Sequence, residues 1–357
     1  MLDLNPTRAA TTPTGEPTGG LMDHLATIDD PRAPRGRRYS LPTLLALAVY
    51  ALTSAGHDTT CAIIEWAHNA PRRVLLALGL PACPFTHRIH IPDEHTLRNL
   101  LAHLDPAQLT RAGLARLNTH TPHQENSPRT PARAPEREHR RAHHQHRHQP
   151  PHQAPRHTAY ATDGKTQRGA RARKGQHSTS VVFHATRHHD AALVASTQIP
   201  SKGVETGAFI TLLDQLDDDH LQRVVITADA LHTVAAHATY LRERGAHYLI
   251  YVKGSHEVVF AVTDLDAHQV SPAELAAHAR GHWTVENRVH YVRDVTFRED
   301  ARRTRTGVAP VVLGVLTDIA RQALTATGWK NLASGRRAHT DPDKVLELHG
   351  ITPDQPV

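Results

Sequence analysis

The chain has 357 residues, enough for two domains and a substantial core, and it is basic: 41 Lys plus Arg stand against 35 Asp plus Glu, a formal charge of +6. That balance favours a polyanionic partner. Two cysteines, Cys61 and Cys83, exclude a disulfide framework and a cysteine-built zinc site, and the most apolar run, Leu41 to Thr53, is too short to span a bilayer and starts too late for a secretory signal. The expectation is a cytoplasmic protein with no membrane partner.

Residues 1–20 are rich in Thr, Pro and Gly and are expected to be disordered. An all-helical unit is expected over 21–119. Leu21 to Ile28 reads as a short helix, Leu41 to Ser54 as a buried one, and Thr60 to Leu78 as a third with Ile63, Ile64, Trp66, Val74, Leu75 and Leu78 inward. A further helix opens at Asp93 or Thr96 and carries Leu97, Leu100, Leu101 and Leu104 before Pro106. The cations of this unit, among them Arg35, Arg37, Arg38, Arg72, Arg73 and Arg98, leave a helix-turn-helix contact with DNA open without requiring one.

From 120 to 157 the chain turns to His, Pro, Arg and Gln with almost nothing apolar, too little to offset its ordering entropy, so a disordered linker is expected. Residues 158–335 then show a mixed pattern. Strands are expected at Ala159 to Thr162, Val181 to Thr186, Ala192 to Gln198, Val224 to Ala230 and His247 to Val252, with helices at Thr206 to Leu216 and His232 to Arg244, the latter closed by Gly245. Three strands, a helix, a strand, a helix and a strand is the order of a ribonuclease-H-like sheet. The fold class is therefore α/β, a mixed sheet flanked by helices and preceded by an all-helical N-terminal domain, with 336–357 as a C-terminal tail. In such a sheet the first and fourth strands are central neighbours, which brings Asp163 and Asp229 together.

Pro272 to Phe297 reads as one long or kinked helix, with His282, Glu286, His290 and Arg293 along one stripe. Alone, an ionisable stripe is an ordinary wet face; beside two aspartates it supplies a third carboxylate. Three carboxylates within about 5 Å would repel by roughly 3 kcal/mol per pair at an effective dielectric of 20. Divalent ions relieve that repulsion, and all-oxygen donors select Mg²⁺ or Mn²⁺. Two such ions can activate an attacking oxygen and stabilise a leaving one at a phosphodiester. Asp163, Asp229 and Glu286 are thus the candidate catalytic and metal-binding residues. Lys165, Arg168, Arg171, Arg173 and Lys174 follow the first of them without an intervening acid, a composition suited to phosphates, and Arg288 and Arg293 flank the third.

The motifs TDGKTQRGA, TADALHT, YLIYVKGS and GHWTVENRVHYVRDVTFRED, with the N-terminal DDPRAPRGRRYSLPTLLALAVYAL and the later GWKNLASGRR, resemble the signatures of DDE-type insertion-sequence transposases, specifically the H-repeat-associated branch. The resemblance covers the chain from about Gly20 onward, apart from the His-rich linker. It implies that Asp163, Asp229 and Glu286 are the catalytic triad, that Arg293 is a phosphate contact, and that Lys253 joins the DNA-binding set. It also implies metal-dependent nicking of transposon ends, strand transfer into target DNA, a homodimer in a synaptic complex, and residence at the nucleoid. The chain departs from that family in lacking a long β insertion between Lys253 and His282. Two other readings fit the same residues: a catalytically inactive DNA-binding remnant, and a general nuclease on the same fold.

Overall fold

The computed structural model describes residues 20–119, 157–167, 181–199, 202–252 and 260–351. The expected disorder of the N-terminus and of the linker falls outside these, as do Arg168, Arg171, Arg173, Lys174 and Lys253.

Six helices open the chain: α1 Leu21–Ala26, α2 Leu41–Thr53, α3 Thr60–Asn69, α4 Arg72–Ala77, α5 Glu94–His103 and α6 Pro106–Thr119. Side chains cap several of them, with Ser40 accepting from the Thr43 amide, Thr59 from Ala62 and Asp93 from His95. The pattern from Thr60 to Leu78 is two helices rather than one. Pro71 supplies no amide hydrogen and holds Ala70 in an extended conformation, so the first helix ends there. At Pro106 the same residue type starts a helix, because the first helical position needs no donor.

α2 is apolar around its whole circumference and buried accordingly. Part of its cover comes from the far end of the chain. The helix Ala309–Ala326 packs on α2, α5 and α6, and one apolar core joins Leu44, Leu47 and Leu101 to Phe297, Leu313, Leu316, Val345 and Leu346. Residues 336–351, within the stretch expected to be a tail, pack into this core. They continue the helix Leu332–Ala338 and form Pro342–His349, where Arg336 meets Asp58 at 2.6 Å and donates to the carbonyls of Leu52 and Ser54, and His349 hydrogen-bonds Thr53 at 2.9 Å.

The second half builds a six-stranded sheet: β1 Ala159–Thr166, β2 Val181–Arg187, β3 Leu193–Ile199, β4 Val225–Ala228, β5 His247–Val252 and β6 Phe260–Thr263, in spatial order β3-β2-β1-β4-β5-β6. β1 runs antiparallel to β2 and parallel to β4. β6, which the sequence pattern did not announce, is an antiparallel edge on β5. One face carries Tyr160, Phe183, Ile226 and Ile250 against Phe209, Leu212 and Leu241 of the helices Glu205–Leu213 and Ala235–Glu243. The other carries Ala159, Val225 and Leu249 against Leu275 and Ala279 of the helix Pro272–His282. Gly245 takes the left-handed conformation (φ +68°) expected past a helix end. With helices over both faces and an all-helical region before it, the mixed sheet is ribonuclease-H-like.

Candidate active site

Asp163 stands inside β1 rather than at its end, because the strand continues to Thr166. β1 and β4 pair in parallel as Ala159 with Val225, Tyr160 with Ile226 and Ala161 with Thr227. Carrying that offset two residues further sets Asp163 beside Asp229, which follows β4 in an extended conformation. Alternation along β1 puts Asp163 on the face of Ala161, whose partner is Thr227, and Asp229 follows Thr227 by two residues, just past the end of β4. Asp163 accepts a 2.8 Å hydrogen bond from the Gly164 amide, and Asp229 accepts one of 3.0 Å from Leu231 as it caps a short 3₁₀ turn.

The segment after the sheet is α-helical only to His282. Val285–His290 and Val292–Thr296 are π-helical, a wider winding found most often near functional sites. Two histidines of this segment touch the aspartates' surroundings. His282 hydrogen-bonds Thr227 at 3.1 Å, and His290 Nδ1 lies 3.4 Å from an Asp163 oxygen. Burial lowers the His282 pKa to about 4, against a smaller opposing pull from Asp229, so its imidazole is neutral at pH 7. Glu286 lies between those histidines in sequence, with its side chain exposed to solvent.

Arg293 is not a phosphate contact. It is 1 % exposed, pairs through two nitrogens with Glu299 at 2.7 and 2.9 Å, meets Asp318 at 2.9 Å, and hydrogen-bonds His184 at 3.1 Å. Burial opposes its charge, but Asp318 and Glu299 outweigh burial and raise its pKa. His184 is held well below its ordinary pKa, first by burial and then by Arg293. Lys165 is likewise turned inward. It shares the parity of Asp163 along β1 and donates to both oxygens of Asp294 at 2.6 and 2.7 Å. These buried pairs lock the π-helical segment to β1, β2 and the helix Ala309–Ala326. Arg288 is half-buried and spends one donor on the His189 carbonyl at 2.8 Å.

A family model described as "Transposase DDE domain" matches residues 139–313, and a second, described as "DDE_Tnp_1-associated", matches residues 22–115. The chain belongs to the DDE transposase family. No curated protein matches the sequence closely enough to count as a relative.

Within that family the residues of interest are the three acids and any cluster of metal ligands. Asp163 and Asp229 each lie two residues beyond the last register pair of β1 and β4, and their oxygens suit Mg²⁺. Yet among the described residues, the set of three side chains whose ligand atoms all lie within 4.8 Å of one another is His157, Glu274 and His278, and Asp163, Asp229 and Glu286 do not form such a set. Sequence reasoning also passed over Trp283 and Tyr291, 51 % and 60 % exposed. With Asn287 between them and Arg280 and Arg298 exposed at either end, they line the solvent side of the segment that carries Glu286. Their eight-residue spacing, with Asn287 midway, was visible, but it was masked by the ionisable stripe beside it.

Proposed function

We propose that this DDE-family protein binds DNA along the Glu286 segment and does not hold a preassembled catalytic cradle. The supporting observation is the surface itself. Exposed Trp283 and Tyr291 alternate with Asn287 and are bracketed by Arg280 and Arg298, an aromatic and cationic combination suited to stacking bases and tracking a phosphate backbone. The formal charge of +6 adds a sequence-independent attraction. Asp163 and Asp229 would keep a divalent ion near this surface, Mg²⁺ or Mn²⁺ by donor chemistry, without Glu286 completing its shell.

A second reading, a working transposase that nicks transposon ends and joins them to target DNA, is supported by one observation: the parallel pairing of β1 and β4 runs to within two residues of both Asp163 and Asp229. One experiment separates the readings. Labelled duplexes carrying the terminal repeats of the chain's own element are incubated with the full chain and Mg²⁺, scored in parallel for mobility shift and for nicking. Binding that weakens in Trp283→Ala and Tyr291→Ala, with no nicking above the Asp163→Asn background, supports the proposal. Nicking abolished by Asp163→Asn establishes the transposase instead, and equal cleavage of unrelated DNA would mark a general nuclease.

A further inference from the structure

The metal-competent cluster noted above lies away from the acids. His157 sits two residues before β1, while Asp163 stands six residues beyond it, roughly 20 Å along an extended chain. Glu274 and His278 are one turn apart on the helix Pro272–His282 and so project from one face of it. His157 Nδ1 is 3.2 Å from Glu274 Oε1, and His278 Nε2 is 3.7 Å from the same oxygen.

We propose that His157, Glu274 and His278 form a zinc site that clamps the entry of β1 to the helix Pro272–His282. Three observations carry the assignment. The first is spacing: ligand atoms about 2.0–2.1 Å from a tetrahedral ion stand roughly 3.3–3.4 Å apart, and the contacts of 3.2 and 3.7 Å bracket that edge. The second is burial: His278 is 2 % exposed, and its Nε2 faces the Glu274 carboxylate at 3.7 Å, longer than an ordinary hydrogen bond. A metal bond would satisfy that buried nitrogen better than so long a contact does. The third is donor type. Two imidazole nitrogens and one carboxylate oxygen select Zn²⁺, with Co²⁺ and Ni²⁺ able to substitute, over the Mg²⁺ that an all-oxygen set prefers. His247 packs edge-on against the His157 ring and is itself held by Asp264 at 3.1 Å, a second layer that fixes the ligand's orientation. Three protein ligands leave one tetrahedral position for water.

The test uses the full chain with His120, His123, His139, His143, His144, His146, His148 and His152 changed to Gln, so that the His-rich stretch cannot compete for the ion. After removal of metal with a chelator, Zn²⁺ is added back while melting temperature and bound zinc are measured, and Co²⁺ is followed by its visible absorption. The expected result is a rise in melting temperature saturating at one ion per chain. Asp163→Asn and Asp229→Asn keep it. His157→Gln and Glu274→Gln weaken zinc binding by at least about tenfold, the loss seen even for outer-shell partners, and abolish the Co²⁺ signal. His157→Gln sits at the mouth of the cluster, and a metal-free melting temperature equal to the parent's shows its fold is intact. A parent that retains no ion, or His157→Gln and Glu274→Gln proteins that bind zinc as the parent does, overturns the site.

Discussion

Replacing Arg293 by Met separates the structural role of that residue from the DNA contact implied by its sequence position. The guanidinium leaves behind Glu299, 5 % exposed, and Asp318, 2 % exposed. Breaking a buried pair by removing one partner costs about 3–5 kcal/mol because a charge stays behind unpaired. The lower end applies here, since Asp318 keeps Arg321 at 3.0 Å and Glu299 carries most of the loss. A cost of about 3 kcal/mol reduces the folded-to-unfolded ratio more than a hundredfold. It is read as a lower urea midpoint at unchanged slope. Adding Glu299→Gln should return part of that loss, making the double variant more stable than the sum of its parts. Were Arg293 a phosphate contact, the urea midpoint would hold while the log–log salt dependence of DNA binding fell by about one charge. That outcome would refute the buried-network assignment.

Lys165→Met should cost less, about 1–2 kcal/mol on the same assay, because Asp294 is 29 % exposed and water can take over its hydration. An unchanged midpoint would show the lysine to be free in solution. Gly164→Ala places a methyl group on the Glu205 carboxylate, which is itself buried, so a loss of about 1–3 kcal/mol is expected, and Gly164→Ala with Glu205→Ala should regain part of it. The buried histidines set an acid limit. Burial lowers His188 to about 3 and His282 to about 4 from an ordinary 6.5. The unfolded chain takes up these protons below pH 6.5 and the folded chain only near pH 3–4, so their contribution to stability is intact above about 6.5 and is lost as pH falls from there toward 4. His282→Gln should flatten that slope in urea midpoints measured from pH 7 to 5, and a slope unchanged by the substitution would count against the burial assigned to this ring.

The strand order, the two aspartates and the helix after the sheet were legible because short β-prone runs and a 3.6-residue period leave local marks. His247 to Val252 matches its strand at both ends. Arg293 was misread for a physical reason: an α-helical period carried past His282 puts it in line with Glu286, but the winding there is π-helical, and the face turns inward. Lys165 could have been placed correctly, since it is two residues from Asp163 and must face the same helix. The His157, Glu274 and His278 cluster was out of reach, because no sequence period links residues 117 positions apart. The burial of Arg336, Val345, Leu346 and His349 was hidden for the same reason: only the folded chain brings Arg336 to Asp58.

That last contact has a consequence for biogenesis. α2 leaves the ribosome early, but the side chains that cover it, from Leu313 to Leu346, are translated some 260 to 300 residues later. At about 5–20 residues per second the half-finished protein carries an open greasy surface for roughly 13 to 60 seconds. A message cut short upstream of Ala309 would make that exposure permanent, so truncated products of this gene should be found in aggregates or with chaperones.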